Sequence, residues 1–296
     1  MSVRTKHLLE KVIRELESLF SHIHQLPHLE TINLTFDPIY DNRPVSDHKG
    51  RLALQASIVR ALAASFGVRI NPKLTFLSIH NMRTWDLSPL ESAPFQTFLA
   101  TVRRLQLSVL FDATPDPRTF FSRWSHFWQS LSPHILSPTQ NTLTELTLHS
   151  DHCVDAAFYL PFDKLHFPHL CSLSLCNLIF GPLTGIEPFI LRHAATLTLL
   201  ELISCRLSIP DGIFLSLSIS MTNPRDKESS IAPGGWHRIW HCFGAELTAL
   251  VTLRVACIGI PSGVILADDH NPADVAALRH FYAIVAARSE EMNKES

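Results

Sequence analysis

Seventeen histidines and six cysteines in a chain of 296 residues are the side chains best suited to metal binding or acid–base chemistry. His237 and His241 lie four apart in a stretch of helical periodicity, the spacing at which two imidazoles on one helix face share a zinc ion. Arg238 stands where a zinc protease of this pattern carries its glutamate base, so the proton acceptor for hydrolysis is missing. Cys242 adds a sulfur nearby, but projects about 100° round the helix from His241. His149, Asp151, His152 and Cys153 form a second group, and Cys176 falls at the place equivalent to His149 in the next apolar alternation, so a His/Cys site across two strands is geometrically open. His22, His24 and His28 form a third group, interrupted by Pro27 and without fixed geometry. A metal-binding protein or metal-dependent enzyme built on these clusters is the alternative reading of the chain. The chain carries no Gly-x-Ser-x-Gly elbow, P-loop or Gly-x-Gly-x-x-Gly turn, and its 10 glycines supply no phosphate-cradling loop. The leading reading is non-enzymatic, with no cofactor and the histidines in packing and turn roles.

The elements that would position these groups follow a repeated pattern. Apolar-x-x-apolar-x-apolar returns seven times, starting at Leu29, Leu74, Val102, Leu143, Leu170, Leu197 and Leu250. Leu143, Leu170 and Leu197 are 27 residues apart each time. That interval suits a leucine-rich repeat, in which a short strand is followed by a helix that returns the chain to the next strand. A strand period of two sends the fourth and sixth motif positions to one face, so those leucines stack from repeat to repeat. The fold class is therefore α/β, a leucine-rich repeat solenoid with a curved parallel sheet on its concave side, helices on its convex side, about seven irregular repeats and helical caps.

Between the strands, Arg51 to Phe66 reads as a helix with Leu54, Ile58, Leu62 and Phe66 facing inward and Gly67 ending it. Pro117 to Leu131 carries Phe120, Phe121, Trp124, Phe127, Trp128 and Leu131 at helical spacing and reads as core, as does the stripe Trp236, Trp240, Phe243. Residues 1–25 make an N-terminal capping helix, or the helix of an incomplete preceding repeat, with Leu9, Val12, Leu16, Leu19 and Ile23 as its stripe. Residues 26–270 form the repeats, with residues 221–235 a mobile surface loop by their turn and charge content. Residues 271–296 form a C-terminal capping helix and tail, opened by Asn271, Pro272 and Asp274, with Val275, Leu278, Tyr282 and Val285 inward.

Composition narrows the classes further. A formal charge of −2 offers no broad basic surface, which excludes a chain selected to neutralise nucleic-acid phosphates and disfavours an anionic membrane surface. No apolar run is long and unbroken enough to span a bilayer or to serve as a secretory signal, so the chain is expected inside the cell, cytoplasmic or nuclear. The cysteines are too sparse for a disulfide framework and read as reduced thiols.

Phe167-Pro-His-Leu170-Cys-Ser-Leu-Ser-Leu-Cys-Asn-Leu178, with Glu187-Pro-Phe-Ile-Leu-Arg-His-Ala-Ala-Thr-Leu197-Thr-Leu-Leu-Glu-Leu-Ile-Ser-Cys205, resembles the irregular leucine-rich repeat region of fungal F-box proteins. The late pairing of Trp236-His-Arg-Ile-Trp240 with Asp274-Val-Ala-Ala-Leu-Arg-His-Phe-Tyr282 is similar too. The ninth motif position is the Cys or Asn of the regular repeat at Cys205, whereas Asp37 and Asp151 depart from it. The resemblance implies a substrate-recognition module: in that family an F-box docks on the adaptor of a cullin–RING ubiquitin ligase while the repeats hold the substrate. This chain shows no F-box, because Leu26-Pro27 leads straight into the strand residues Leu29, Ile32 and Leu34. The ligase adaptor is thus a partner only if an F-box lies upstream.

Geometry puts the binding residues on the concave strand positions: Asn33 and Thr35, Ser78 and His80, Gln106 and Ser108, Thr147 and His149, Ser174 and Cys176, Glu201, and Arg254. They are small and mostly uncharged, which suits a protein partner better than a nucleic acid.

Overall fold

The computed structural model describes residues 3–36, 45–66, 73–83, 88–110, 125–154, 160–181, 184–207, 235–256 and 272–295. Phe120, Phe121, Trp124, Gly67, Asp37, Asn271 and the expected loop up to residue 234 lie outside them.

Each motif forms a strand: β1 (Thr31–Thr35), β2 (Phe76–Arg83), β3 (Arg104–Leu110), β4 (Glu145–Val154), β5 (Ser172–Phe180), β6 (Leu199–Ile203) and, after the short β7 (Arg206–Leu207), β8 (Thr252–Ala256). They make an open parallel sheet in the order β1-β2-β3-β4-β5-β6-β8, with β7 pairing on β5. Parallel neighbours need crossovers. These include α2 (Val45–Ser65), α3 (Ala93–Leu99), α4 (residues 125–131), α5 (Ile186–Arg192) and α6 (Trp236–Glu246), while α1 (Val3–Ser21) and α7 (Pro272–Glu295) flank the set.

The register is the one that the leucine alternation predicts. The fourth motif position runs Ile32, Leu77, Leu105, Leu146, Leu173, Leu200, Leu253 straight across the sheet, and the sixth runs Leu34, Ile79, Leu107, Leu148, Leu175, Leu202, Val255. Both rows belong to one core with Leu62 of α2, Phe66 just after it, Phe95 and Phe98 of α3, Phe127 and Trp128 of α4, Phe189 of α5 and Phe243 of α6. Burying each such side chain contributes roughly 1.5–3 kcal/mol, so these two rows supply much of what holds the sheet to its helices.

The strand starts repeat as closely as the leucines. The carbonyls of Glu30, Thr75, Arg103, Thr144, Cys171 and Thr198 each accept two consecutive N–H groups of the following strand, from Thr75 and Phe76 at the first junction to Val251 and Thr252 at the last. Side chains reinforce three of these junctions: Thr144 Oγ1 donates to Arg103 O (2.9 Å), Cys171 Sγ to Thr144 O (3.2 Å) and Thr198 Oγ1 to Cys171 O (3.0 Å).

Several expected helices shift. α2 starts at Val45 rather than Arg51 and buries Val59, Leu62 and Ala63, with Phe66 buried just past its end and Leu54 and Ile58 half-buried. Its inward face also takes Gln55, whose amide nitrogen donates to Arg83 O (3.1 Å) while its oxygen accepts from Arg83 N–H (2.9 Å), a reciprocal pair that satisfies a buried polar group. In α7 the inward residues are Ala277, Leu278, Phe281 and Val285, and Tyr282 turns instead to the sheet edge. There its hydroxyl accepts the Val255 N–H of β8 at 3.0 Å. No helix among the described residues is long and apolar enough to cross a membrane.

Candidate functional site

With helices packed on the leucine face, the third, fifth and seventh motif positions lie on the other face of the sheet. The fifth positions form one unbroken row, Asn33, Ser78, Gln106, Thr147, Ser174, Glu201 and Arg254, each in register with the next. The seventh positions run Thr35 to His80, then Ser108, His149, Cys176, Ile203 and Ala256, with the register broken after Ile79 and Leu107. The structure thus brings all twelve residues singled out in the sequence onto one face.

They are not equally open. Ser78 is 1% exposed and Cys176 3%, and Ser108 is also buried. Ser78 lies beneath its neighbours: its Oγ shares a 2.7 Å hydrogen bond with His80 Nε2 and donates at 3.4 Å to Gln106 Oε1. A serine bonded to a histidine is the arrangement of an activated nucleophile, but this hydroxyl is covered and so closed to a substrate. At the other end Ser174 Oγ donates to Glu201 Oε2 (2.6 Å), and Arg254 stands 3.9 Å from Glu201 Oε1. The result is a charged end opposite a neutral one.

The third positions, which the sequence reading passed over, complete the face. Arg104 lies over the Phe76 ring at 4.5 Å and is in register with Glu145. The same period of two that places the fifth and seventh positions here requires the third to join them.

Burial holds His149 below the usual histidine range; Asp151 opposes the shift and His80 adds to it, so the imidazole is neutral at neutral pH. His149 and Cys176 are register partners, as expected for a two-strand site. The helical cluster is arranged differently: His237 Nδ1 sits 2.9 Å from Asp274 Oδ1, and the His241 ring lies 6.3 Å from that of His280. Burial, helped by Glu187 and Glu246, pushes the Cys242 thiol up, against the ionisation that a metal ligand or nucleophile needs. Among the described residues, no group of three or more His, Cys, Asp or Glu is placed to hold a metal ion.

Two asparagines escaped the sequence reading. Asn81 and Asn177 each follow the last apolar motif residue, Ile79 and Leu175, by two residues and adopt φ of 58°, as Ser204 does at 49°. Their amides bond across to the equivalent place in the preceding strand: Asn81 Nδ2 donates to Phe36 O (2.8 Å) and Asn177 Nδ2 to Ser150 O (2.6 Å). Asparagine tolerates this left-handed conformation while its short amide reaches a neighbouring backbone. The repeat's polar turn residue therefore lies at the eighth position, one before the place where the regular pattern directs attention. At the ninth, Cys205 is buried, with its thiol 3.5 Å from Leu175 O.

No protein-family model matches the chain, and no curated protein matches it, so the geometry of this face carries the functional reading.

Proposed function

We propose that the chain is a leucine-rich repeat solenoid whose sheet face opposite the leucine rows is concave and binds a protein partner, without catalysis of its own. The observation that carries this reading is the unbroken fifth-position row from Asn33 to Arg254, polar at every position with an acid–base pair at one end. Asn33 and Arg254 are exposed and Gln106, Thr147, Ser174 and Glu201 half-buried, so a stack of parallel strands offers polar contact points at regular spacing. The near-neutral charge of −2 supports a protein over a nucleic acid. By the resemblance described above, the role would be substrate recognition for an F-box-type ubiquitin ligase, with the cullin adaptor engaged only through an F-box upstream of these residues.

The test is capture of partners from native cells by the tagged chain, beside a form extended upstream to any in-frame F-box and a form carrying Ser174→Trp with Glu201→Arg. The reading expects a protein set that the double variant loses while remaining folded, with the cullin adaptor appearing only on the extended form. Unchanged capture by the folded double variant removes the binding role of this face.

A further inference from the structure

The two edges of the sheet are finished differently. At the β8 edge, α7 reaches over and Tyr282 takes the outward N–H of Val255. At the β1 edge, Glu30 O and Phe36 N–H face β2, accepting from Thr75 and Phe76 and donating to His80 O. Alternation then turns the backbone N–H and C=O of Thr31, Asn33 and Thr35 outward, and no described residue pairs with them. Exposed edges are commonly guarded by lysine, proline or a bulge. β1 reads Thr-Ile-Asn-Leu-Thr and has none of these.

The strand is also self-complementary. Read backwards it is Thr-Leu-Asn-Ile-Thr, the same residue classes in the same order. We infer that β1 is the contact by which two copies of this chain associate, pairing antiparallel about a twofold axis at Asn33. That register sets Asn33 opposite Asn33 of the second copy and Thr31 opposite its Thr35, so each outward-facing residue meets another outward-facing one, and each such pair exchanges two hydrogen bonds. Thr–Thr pairs are among the favourable cross-strand matches. Ile32 falls opposite the second copy's Leu34 on the leucine face.

The helix layer ends at the same side. α1 packs on α2 as the outermost of the described helices, and it leaves Val12 37% and Leu19 64% exposed, one heptad apart on one face, with Leu26 53% exposed beyond them. A five-residue strand pair alone is small against the roughly 800 Å² per partner of a stable interface, so the strand needs this adjoining apolar surface. Charge permits the match: a second copy presents the same charges, β1 has none, and the exposed Lys11 and Glu15 of α1 already balance each other at 3.8 Å. An axis normal to the sheet keeps the two faces opposite the leucine rows on one side of a continuous sheet.

Sedimentation of the full chain over a micromolar concentration series should show a monomer–dimer equilibrium. Asn33→Pro, which removes an outward N–H together with the exposed 3.4 Å contact of the Asn33 amide to Thr35 Oγ1 and is tolerated on an edge strand, should weaken the dimer about tenfold or more. Opposed Cβ atoms about 4.5–5.5 Å apart are within reach of a short thiol cross-linker. Asn33→Cys alone should therefore cross-link above the wild-type background, whereas Thr35→Cys should do so only when mixed with Thr31→Cys. A monomer throughout the series overturns the inference, as does a dimer indifferent to Asn33→Pro. Should Asn33→Pro fail to fold, the cysteine variants decide: self-linking by Thr35→Cys, or none by Asn33→Cys, overturns it.

Discussion

Asp274 and Arg288, near the two ends of α7, hold opposite ends of α6. Asp274 Oδ1 accepts the His237 N–H at the start of α6 (2.6 Å), while Arg288 donates to Leu247 O (2.6 Å) and Gly244 O (2.8 Å) at its finish. The two helices therefore run parallel. Each charge meets the helix terminus of opposite partial charge, and Gly235, the residue before α6, has no side chain to cap with. The carboxylate is itself buried. Asp274→Ala should lower stability by about 1–3 kcal/mol through the stranded His237 N–H, and Asp274→Asn, which keeps an acceptor, by about 1 kcal/mol or less. Thermal and denaturant unfolding would measure both; equal, negligible effects would show that the clamp contributes nothing.

His193 is a core histidine made for the neutral state. Its Nε2 accepts the Phe167 N–H (2.9 Å) and its Nδ1 meets Phe189 O (2.7 Å), so one ring joins the end of α5 to the segment that leads into β5. Burial pushes its pKa down to about 4, against the Phe189 carbonyl and aided by His166 and Arg192. The unfolded chain, with an ordinary value near 6.5, binds the proton more readily, so this contribution is complete above about pH 6.5 and is lost as pH falls towards 4. The loss should be on the order of 2–3 kcal/mol. His149, also lowered by burial, adds in the same sense. His193→Asn should be less stable at pH 7 yet flatter through this window. Parallel pH curves for variant and wild type would assign the acid sensitivity elsewhere.

The left-handed asparagines should respond to two different substitutions in two different ways. Asn177→Ala loses both the bond to Ser150 O and the tolerance for φ of 58°, and should cost about 2 kcal/mol. Asn177→Gly keeps the conformation and should cost roughly half as much. If alanine were no worse than glycine in denaturant unfolding, backbone conformation would not be what this position requires.

Strand number and register were legible because the leucine period of two survives irregular spacing: Leu173 and Leu200 are fully buried where the motif puts them. Replacing either with Asp should unfold the chain, since a charge would enter a packed apolar layer. What was not legible depends on neighbours distant in sequence. Asp274 is the first-turn acidic residue of its own helix that the sequence predicts, and it also caps another, which nothing in its neighbourhood announces; Ser78 looked open and is buried, bonded to His80 and Gln106. His237 and His241 had the spacing of a metal pair, but the carboxylate of Asp274 engages the first. Periodicity identifies the face a residue takes, but not what will lie over it.

Partner capture by three folded forms tests the central claim most directly: wild type, Ser174→Trp with Glu201→Arg on the sheet face opposite the leucine rows, and Arg60→Glu on the helical side, where Arg60 is exposed. Quantitative mass spectrometry of the captured proteins should show the same set for wild type and Arg60→Glu, and a loss of about tenfold or more for the double variant. Equal capture by all three, with unfolding curves confirming that each is native, would contradict a binding role for the face that runs from Asn33 to Arg254.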